Sequence, residues 1–176
     1  MDCQDSRLPG VPLRFRPVAS LARLGYHRRN VITGLAWIAT AACALFTGGA
    51  VYATLVEHPA RMACGPPLAV AHFRMSYPRG AGLQAPLAVG GCLAAVGAWI
   101  AGAPAGWLLA GLALGLTVPY TLAVMMPTNR RLLDRRLGPD LPETRQLLRR
   151  WGNLHLVRTG LGLLALTVML RLLVNP

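Results

Sequence analysis

Four long apolar runs, separated by polar segments, dominate the pattern along the chain. The runs cover residues 31–56, 83–101, 106–126 and 154–174. Each is close to the roughly 20 residues that an α-helix needs to cross a bilayer. The pattern therefore predicts an all-α fold, an integral membrane four-helix bundle with its spans at about these positions.

Four spans place both chain termini on one side of the membrane. We call this side, which also carries the short link near residues 101–105, the terminal end of the bundle. The opposite side, the loop end, carries two longer segments, 57–82 and 127–153, which are predicted to be loops. Residues 1–30 contain six arginines and three prolines and are predicted to form a flexible basic arm. Residues 31–176 are predicted to form one four-span domain.

Small residues recur at helical spacing on one face of each run. In lipid, small residues let helices approach closely, so these faces are predicted to point into the bundle. Toward the loop end the runs give way to polar residues, which are Glu57, His58, Gln84, Asn129, His155 and Arg158. Their shared depth predicts a polar pocket near one membrane surface, because ligand sites in helical bundles are built from facing helices.

Plainer interpretations of single residues stay open at this point. Glu57 and Arg61 are four residues apart and also fit a simple ion pair on one helix face. Arg158 lies about one turn inside its run, so its side chain also fits an extended conformation that reaches the headgroups. Three tryptophans are predicted to sit in the membrane interface; they are Trp37, Trp107 and Trp151.

The composition agrees with lipid as the solvent. Apolar residues make up 54% of the chain and charged residues 14%, against about 25% charged residues in soluble domains. The net charge of +12 comes entirely from arginine, because the chain contains no lysine. These arginines lie mainly between or before the apolar runs, as in membrane proteins, so nucleic acid is not an expected partner. The arginine bias is typical of a GC-rich bacterium, and the expected location is a bacterial cytoplasmic membrane.

Several cofactor sites are excluded by their missing patterns. The four cysteines contain no Cys-x-x-Cys pair, which argues against a zinc site or a disulfide framework. No glycine-rich nucleotide-binding loop and no covalent haem-attachment motif occurs.

Four separated blocks carry a resemblance to a known family. They are LVEHPAR at 55–61, SYPRGAGLQAPLA at 76–88, PYTLAVMMPTNRRLLD at 119–134 and RWGNLHLVRTGLG at 150–162. In this order they resemble the anthrone oxygenase-like family of small four-span membrane proteins. The resemblance implies a role in polyketide biosynthesis. It also implies oxidation of an anthrone to an anthraquinone by O2, without flavin, haem or nicotinamide, so no cofactor is expected besides O2 as co-substrate.

This chemistry suggests roles for the polar residues. Removing a proton from an anthrone gives an electron-rich anion that can itself reduce O2, so the protein must supply a base, a cation and a water-poor slot. His58 or His155 is the candidate base, with Glu57 orienting it, and Arg158 is the candidate partner of the substrate oxygen. The candidate substrate-binding residues are Gln84, Asn129, Tyr120 and Tyr52. The expected partners are the lipid bilayer and a lipophilic aromatic substrate, and a homo-oligomer is compatible with the pattern.

Two other functions remain open from the sequence. Glu57, His58 and His155 are suitable ligand types for iron or copper, and a histidine pair in a four-helix bundle also suits haem. Alternatively, the chain is a scaffold or carrier in a biosynthetic complex, with the arginine-rich segment 130–150 facing an acidic partner or anionic lipid.

Overall fold

The computed structural model describes residues 18–175, and within them every regular element is helical. The α-helices are α1 (Val18–Tyr52), α2 (His58–Ala63), α3 (Pro66–Ile100), α4 (Gly106–Gly115), α5 (Thr117–Tyr120), α6 (Met126–Leu133) and α7 (Pro142–Val174). Two five-residue π-helical turns join them, Ala53–Glu57 between α1 and α2 and Thr121–Met125 between α5 and α6.

These elements form four helices that are long and apolar enough to cross a membrane. We call them the first to fourth spans: Gly25–Ala63, Pro66–Ile100, Gly106–Leu133 and Pro142–Val174. Consecutive spans pack side by side, and the fourth closes the ring against the first. The predicted all-α four-helix bundle is confirmed, and the four helices support an integral, multi-pass membrane protein.

The helices are longer than their apolar runs. The second span has 35 residues, or about 52 Å, whereas the hydrocarbon core of a bilayer is about 30 Å thick. The segments predicted to be loops, 57–82 and 127–153, are mostly helical; the non-helical connections at that end are residues 64–65 and 134–141. Of the predicted arm, residues 1–17 lie outside the described residues and residues 18–30 belong to α1.

The extended helix ends are stabilised by their own core. Apolar residues at helical spacing on the second span bury themselves against the third and fourth spans beyond the apolar runs. This cluster contains Ala69, Val70, Phe73, Met125, Leu132, Leu137, Leu148 and Trp151. Hydropathy averaged over a window misses such a helix, because half of its surface is polar.

Short connections hold the helix ends together. Gly65 and Gly102 have φ of 81° and 105°, a region that favours glycine, and they allow the tight turns after the first and second spans. Arg74 on the second span donates hydrogen bonds to the carbonyl oxygens of Leu132, Asp134 and Leu137, at 2.6 to 3.3 Å. One guanidinium thus ties the 134–141 connection to the bundle.

At the terminal end the spans pack through small residues, as predicted. A Cβ added at Gly111 would lie 2.8 Å from the Cβ of Ala95, and one at Gly91 would lie 2.7 Å from Cδ2 of Leu114. The predicted face of the fourth span is buried in full; its residues are His155, Arg158, Gly162, Ala165 and Met169.

Candidate functional site

A cavity of about 310 Å³ lies inside the loop end of the bundle, and all four spans contribute to its wall. Its size falls at the lower end of the range of small-molecule sites, about 300–1,000 Å³. The polar side chains that line it are Glu57, Arg61, Ser76, Tyr77, Gln84, Thr117, Thr121, His155 and Arg158. Aromatic and aliphatic side chains complete the wall. Of the six polar residues predicted from the sequence to meet at this depth, four line the cavity.

Both π-helical turns border this cavity, one from the first span and one from the third. Each turn ends two residues before a proline, Pro59 and Pro127. A proline removes one backbone donor and clashes with the carbonyl four residues earlier, which here lies inside the turn. The helix widens instead: His58 N–H bonds to the Ala53 oxygen and Met126 N–H to the Thr121 oxygen, each five residues back. Such π-turns are frequent at functional sites.

Arg158 brings a buried positive charge to the cavity. Only 9% of the residue is exposed, so its side chain does not extend to the headgroups. Its Nη2 donates a 3.0 Å hydrogen bond to Oε1 of Gln84, and its Cζ lies 5.3 Å from the centre of the Phe46 ring. Among the described residues, Arg158 has no carboxylate partner and its Nε has no hydrogen-bond partner. A buried guanidinium without a counter-charge favours an anionic group in the adjacent space.

His155 lies on the same face of the fourth span, one turn before Arg158, and is 3% exposed. Its Nδ1 lies 3.1 Å from the Thr54 hydroxyl, which lies 2.8 Å from the Thr159 hydroxyl. Thr159 in turn reaches the carbonyl oxygens of Ala50 and His155, at 3.4 and 3.2 Å. If Thr159 donates to a carbonyl, Thr54 donates to Thr159 and Nδ1–H donates to Thr54. In that arrangement Nε2 carries the free lone pair.

Arg61 forms a second charged cluster at the loop-end edge of the cavity. It is paired with Glu57 and donates from Nε to Nδ1 of His72, at 3.2 Å, and from Nη2 to Ser76, at 3.3 Å. Its Cζ lies 5.5 Å from the centre of the Phe73 ring. The ion pair expected as an alternative for Glu57 is therefore present, and it neutralises this cation, unlike Arg158.

Tyr77 and Asn129 form a buried pair between the second and third spans. Asn129 is fully buried, and its Nδ2 donates a 2.8 Å hydrogen bond to the Tyr77 hydroxyl. Tyr77 stacks on Phe73, with ring centres 5.2 Å apart, and lines the cavity. Because Tyr77 accepts from Asn129, its own proton remains free to be donated toward the cavity.

Four predicted site residues lie outside the cavity wall. Asn129 does not line the cavity itself but donates a hydrogen bond to Tyr77, which does. Tyr120 donates its hydroxyl to the Leu154 carbonyl at 3.2 Å, and Tyr52 is 58% exposed on the outer surface. His58 lines a separate polar cavity of about 310 Å³ and packs so closely on the fourth span that a Cβ at Gly152 would lie 2.5 Å from its Nε2.

Two of the three predicted interfacial tryptophans face inward instead. Trp107 and Trp151 are 3% and 6% exposed, whereas Trp37 is 61% exposed. The Trp151 ring stacks on His155, with centres 4.7 Å apart, and also contacts His58 at 5.2 Å. Trp151 therefore contacts both histidines and lines both cavities.

The alternative metal site is not assembled. Within residues 18–175 no group of three or more His, Cys, Asp or Glu side chains could hold a metal ion. Glu57 lines the main cavity and His58 the second, while His155 borders both.

Sequence reasoning missed Tyr77, Ser76 and Trp151. Tyr77 and Ser76 belong to the SYPRG stretch and Trp151 to the RWGN stretch, so both lie in the blocks that carry the family resemblance. Periodicity also offered a signal, because Phe73, Tyr77 and Gln84 share one face of the second span.

Comparison with known families identifies the group to which this chain belongs. The family model described as anthrone oxygenase matches residues 73–168, more than half of the chain. The chain belongs to the anthrone oxygenase family. No curated protein and no solved structure matches it significantly. The matched segment includes Tyr77, Gln84, His155 and Arg158, and it leaves out the first span with Glu57. Membership in the anthrone oxygenase family supports an oxygenase-like function in polyketide-type metabolism.

Proposed function

We propose that the chain is a membrane-embedded oxygenase that converts an anthrone-like polycyclic aromatic compound to the corresponding quinone with O2. The observation that carries the proposal is Arg158, a buried guanidinium that borders a mostly apolar cavity and has no carboxylate partner among the described residues. An anthrone becomes an anion when it loses a methylene proton. The family match makes this anion the natural partner for the charge.

The cavity suits a flat substrate with a polar edge. Phe73 and Trp151 offer ring surfaces, while Ala88, Val118 and Leu122 supply aliphatic contacts. The Tyr77 hydroxyl and the Gln84 amide are suited to form hydrogen bonds with ketone or phenol oxygens of the substrate. Their donors and acceptors orient the ring system, and the apolar wall excludes water from the reacting carbon.

His155 is the proposed base. Its Nδ1 is engaged by Thr54, and its Nε2 has no hydrogen-bond partner within the described part of the chain. With Nδ1–H donating to Thr54, neutral Nε2 accepts the methylene proton. Thr54 and Thr159 are positioning residues, because they fix the ring and its tautomer without touching the substrate.

Arg158 and Tyr77 are proposed to hold the oxygen on which the negative charge collects. A fixed guanidinium in a poorly hydrated site stabilises such an oxyanion without reorganising solvent. The Arg158–Gln84 hydrogen bond and the contact with Phe46 keep the cation in place.

The redox steps then need only the substrate anion and O2. The anion transfers one electron to O2, and the resulting pair combines to form a C–O bond and, with the proton from His155, a hydroperoxide. Loss of the second methylene hydrogen and cleavage of the O–O bond release water and leave one oxygen atom as the new quinone carbonyl. Overall, anthrone and O2 give anthraquinone and water.

The test is O2 uptake and quinone formation by the purified protein with a hydroxylated anthrone, with and without a strong chelator, after elemental analysis. Rates are read above spontaneous autoxidation, which is measured in the same detergent without protein and with heat-denatured protein. Turnover that survives chelation in metal-free protein supports the proposal, and loss on chelation supports a metal enzyme. If the wild-type protein never exceeds this background, the chain is not this oxygenase, and a scaffold or carrier role gains support.

A further inference from the structure

The line of contact between two neighbouring spans is called a seam here. The seam between the second and third spans is closely packed at one end of the bundle and open at the other. At the terminal end it is closed: a Cβ at Gly115 would lie 2.7 Å from Sγ of Cys92, and one at Gly111 would lie 2.8 Å from the Cβ of Ala95. From Ala88 and Thr117 toward the loop end, the same seam borders the cavity instead.

Two leucines stand at the outer edge of this open part. Leu83 on the second span is 64% exposed and Leu122 on the third is 60% exposed, yet both line the cavity. Exposed leucines are ordinary on a lipid-facing surface. These two differ because the same side chains touch both the interior space and the outside.

The two seams made by the fourth span are crossed by polar contacts at the level of the cavity. Thr54 bonds His155 between the first and fourth spans, and Tyr120 bonds the Leu154 carbonyl between the third and fourth. Between the first and second spans, Arg61 reaches His72 and Ser76 at the loop-end edge of the cavity. The described side-chain hydrogen bonds between the second and third spans, made by Tyr77 and Arg74, also lie nearer the loop end than Leu83.

Two exposed glycines of the second span lie beside this opening and carry no side chain that could cover it. A Cβ added at Gly80 or Gly82 would meet no atom within 4 Å. An apolar groove of about 560 Å³ on the outer surface shares Val118 with the cavity, so apolar surface continues from the cavity wall to the outside.

We infer that the cavity opens sideways to the bilayer between Leu83 and Leu122, and that apolar aromatic molecules enter it from the lipid through this opening. Leu83 is the loop-end limit of its apolar run and Leu122 lies one helical turn inside the limit of its own, near the depth where amphipathic aromatic rings collect. A molecule at that depth passes between aliphatic side chains and loses no hydrogen bond on the way. The opening is inferred from the geometry alone. The further statement that the substrate is the molecule that enters through it rests on the proposed function.

Cysteine labelling in liposomes tests the opening without any turnover. In protein whose four native cysteines are replaced by serine, Ala81→Cys places a thiol on the cavity wall. The probes are two maleimides, N-phenylmaleimide, which partitions into lipid, and a charged, membrane-impermeant maleimide, and each labelling rate is divided by the rate of that probe with free cysteine. We expect faster labelling by the apolar probe than by the charged one. Adding Leu122→Trp should slow apolar labelling at least about fivefold, because an indole fills the entrance.

The matched control is Leu45→Trp, which puts the same indole on an equally exposed leucine of the first span, away from the cavity. It should leave the labelling rate unchanged. Leu83→Trp places an indole on the opposite side of the opening and replaces Leu122→Trp in the experiment if that variant does not fold. Equal labelling with and without either substitution, preferential labelling by the charged probe, or no labelling of folded protein would each overturn the inference. Absence of anthrone turnover would leave it standing.

Discussion

At the terminal end of the bundle the helices touch through alanine and glycine, whereas at the loop end aromatic rings and guanidinium groups hold them apart. The first cluster is lined by residues such as Ala39, Ala95 and Ala98, all fully buried. The second contains Phe73 and Trp151, next to Arg61 and Arg158. The chain therefore uses one end for close helix contact and the other for a mostly apolar cavity with polar side chains in its wall.

The difference has a local cause in the backbone. Straight α-helices with small residues on facing stripes approach to Cβ contact, as Gly111 and Ala95 do. At the loop end, the π-turns before Pro59 and Pro127 widen two spans at the level of the cavity. Widening and bulky side chains together leave room that small residues alone would close.

The largest expected effect is loss of the proposed base at the loop end. His155→Ala should lower kcat by about 10²–10⁴-fold, the usual contribution of general-base catalysis. Stopped-flow O2 uptake at saturating anthrone measures it. His27→Ala, an exposed histidine at the terminal end, is the matched control. His58→Ala decides between the two histidines proposed from the sequence: a loss as large as that of His155→Ala would move the base to the second cavity.

Removing the Arg158 charge should lower the activity without lowering the stability. Arg158→Met should lower kcat by about 10²–10³-fold, as loss of an oxyanion donor does. It should not lower the melting temperature in detergent, because replacing a buried cation by an apolar side chain of similar length relieves desolvation. Arg171→Met, at an exposed position on the same span, controls for the change of residue. A variant that melts earlier and keeps its kcat would show that Arg158 is structural.

A substitution at the terminal end should have the opposite effect, with lower stability and unchanged turnover. Gly111→Val places side-chain atoms against Ala95 and should destabilise the fold by about 1–3 kcal/mol through overpacking. Unfolding by sodium dodecyl sulfate from mild detergent gives the free energy. Gly90→Val is the control, because a Cβ there meets nothing within 4 Å. The folded fraction of Gly111→Val should keep normal turnover, and equal destabilisation by both variants would contradict close packing as the cause.

The smallest effect is expected from the tyrosine hydroxyl. Tyr77→Phe keeps the stacking on Phe73 and removes the proposed hydrogen bond to the substrate oxygen, so kcat should fall about tenfold. It also removes the acceptor of the buried Asn129 amide, so the melting temperature should fall as well. Tyr26→Phe, at an exposed position, is its control. If Tyr77→Phe raises KM and leaves kcat unchanged, the hydroxyl binds the substrate without stabilising the charge that develops on it.

Periodicity predicted the bundle and one of its faces well. All five residues assigned to the inner face of the fourth span are buried, because this face carries the small residues Gly162 and Ala165 at helical spacing and is suited to helix contact. The lengths of the helices were underestimated, since the second span continues to Pro66 through a segment that is polar on its outer side. Trp151 was placed at the interface, because composition alone does not distinguish a tryptophan at the interface from one inside a cavity.

The site was predicted in outline but not in its members. Depth along a helix is obtained by counting residues, so Glu57, Gln84, His155 and Arg158 were expected at one level and do line one cavity. Direction around a helix is less secure where π-turns occur, because each turn inserts an extra residue and rotates the side chains that come after it. His58 comes directly after such a turn, and it lies in the second cavity rather than the first.

The sequence by itself determined that the chain forms four membrane-spanning helices, that their small-residue faces meet, and that polar residues collect at one end. These properties depend on the spacing of residues and on hydropathy, and both can be obtained directly from the sequence. Only the tertiary structure decided that Arg61 is neutralised by Glu57 while Arg158 has no carboxylate partner among the described residues. Only it decided that Thr54 orients His155 and that the second and third spans part at Leu83 and Leu122. The physical reason is that partners and openings depend on how separate helices rotate and tilt against one another, which no single run of residues encodes.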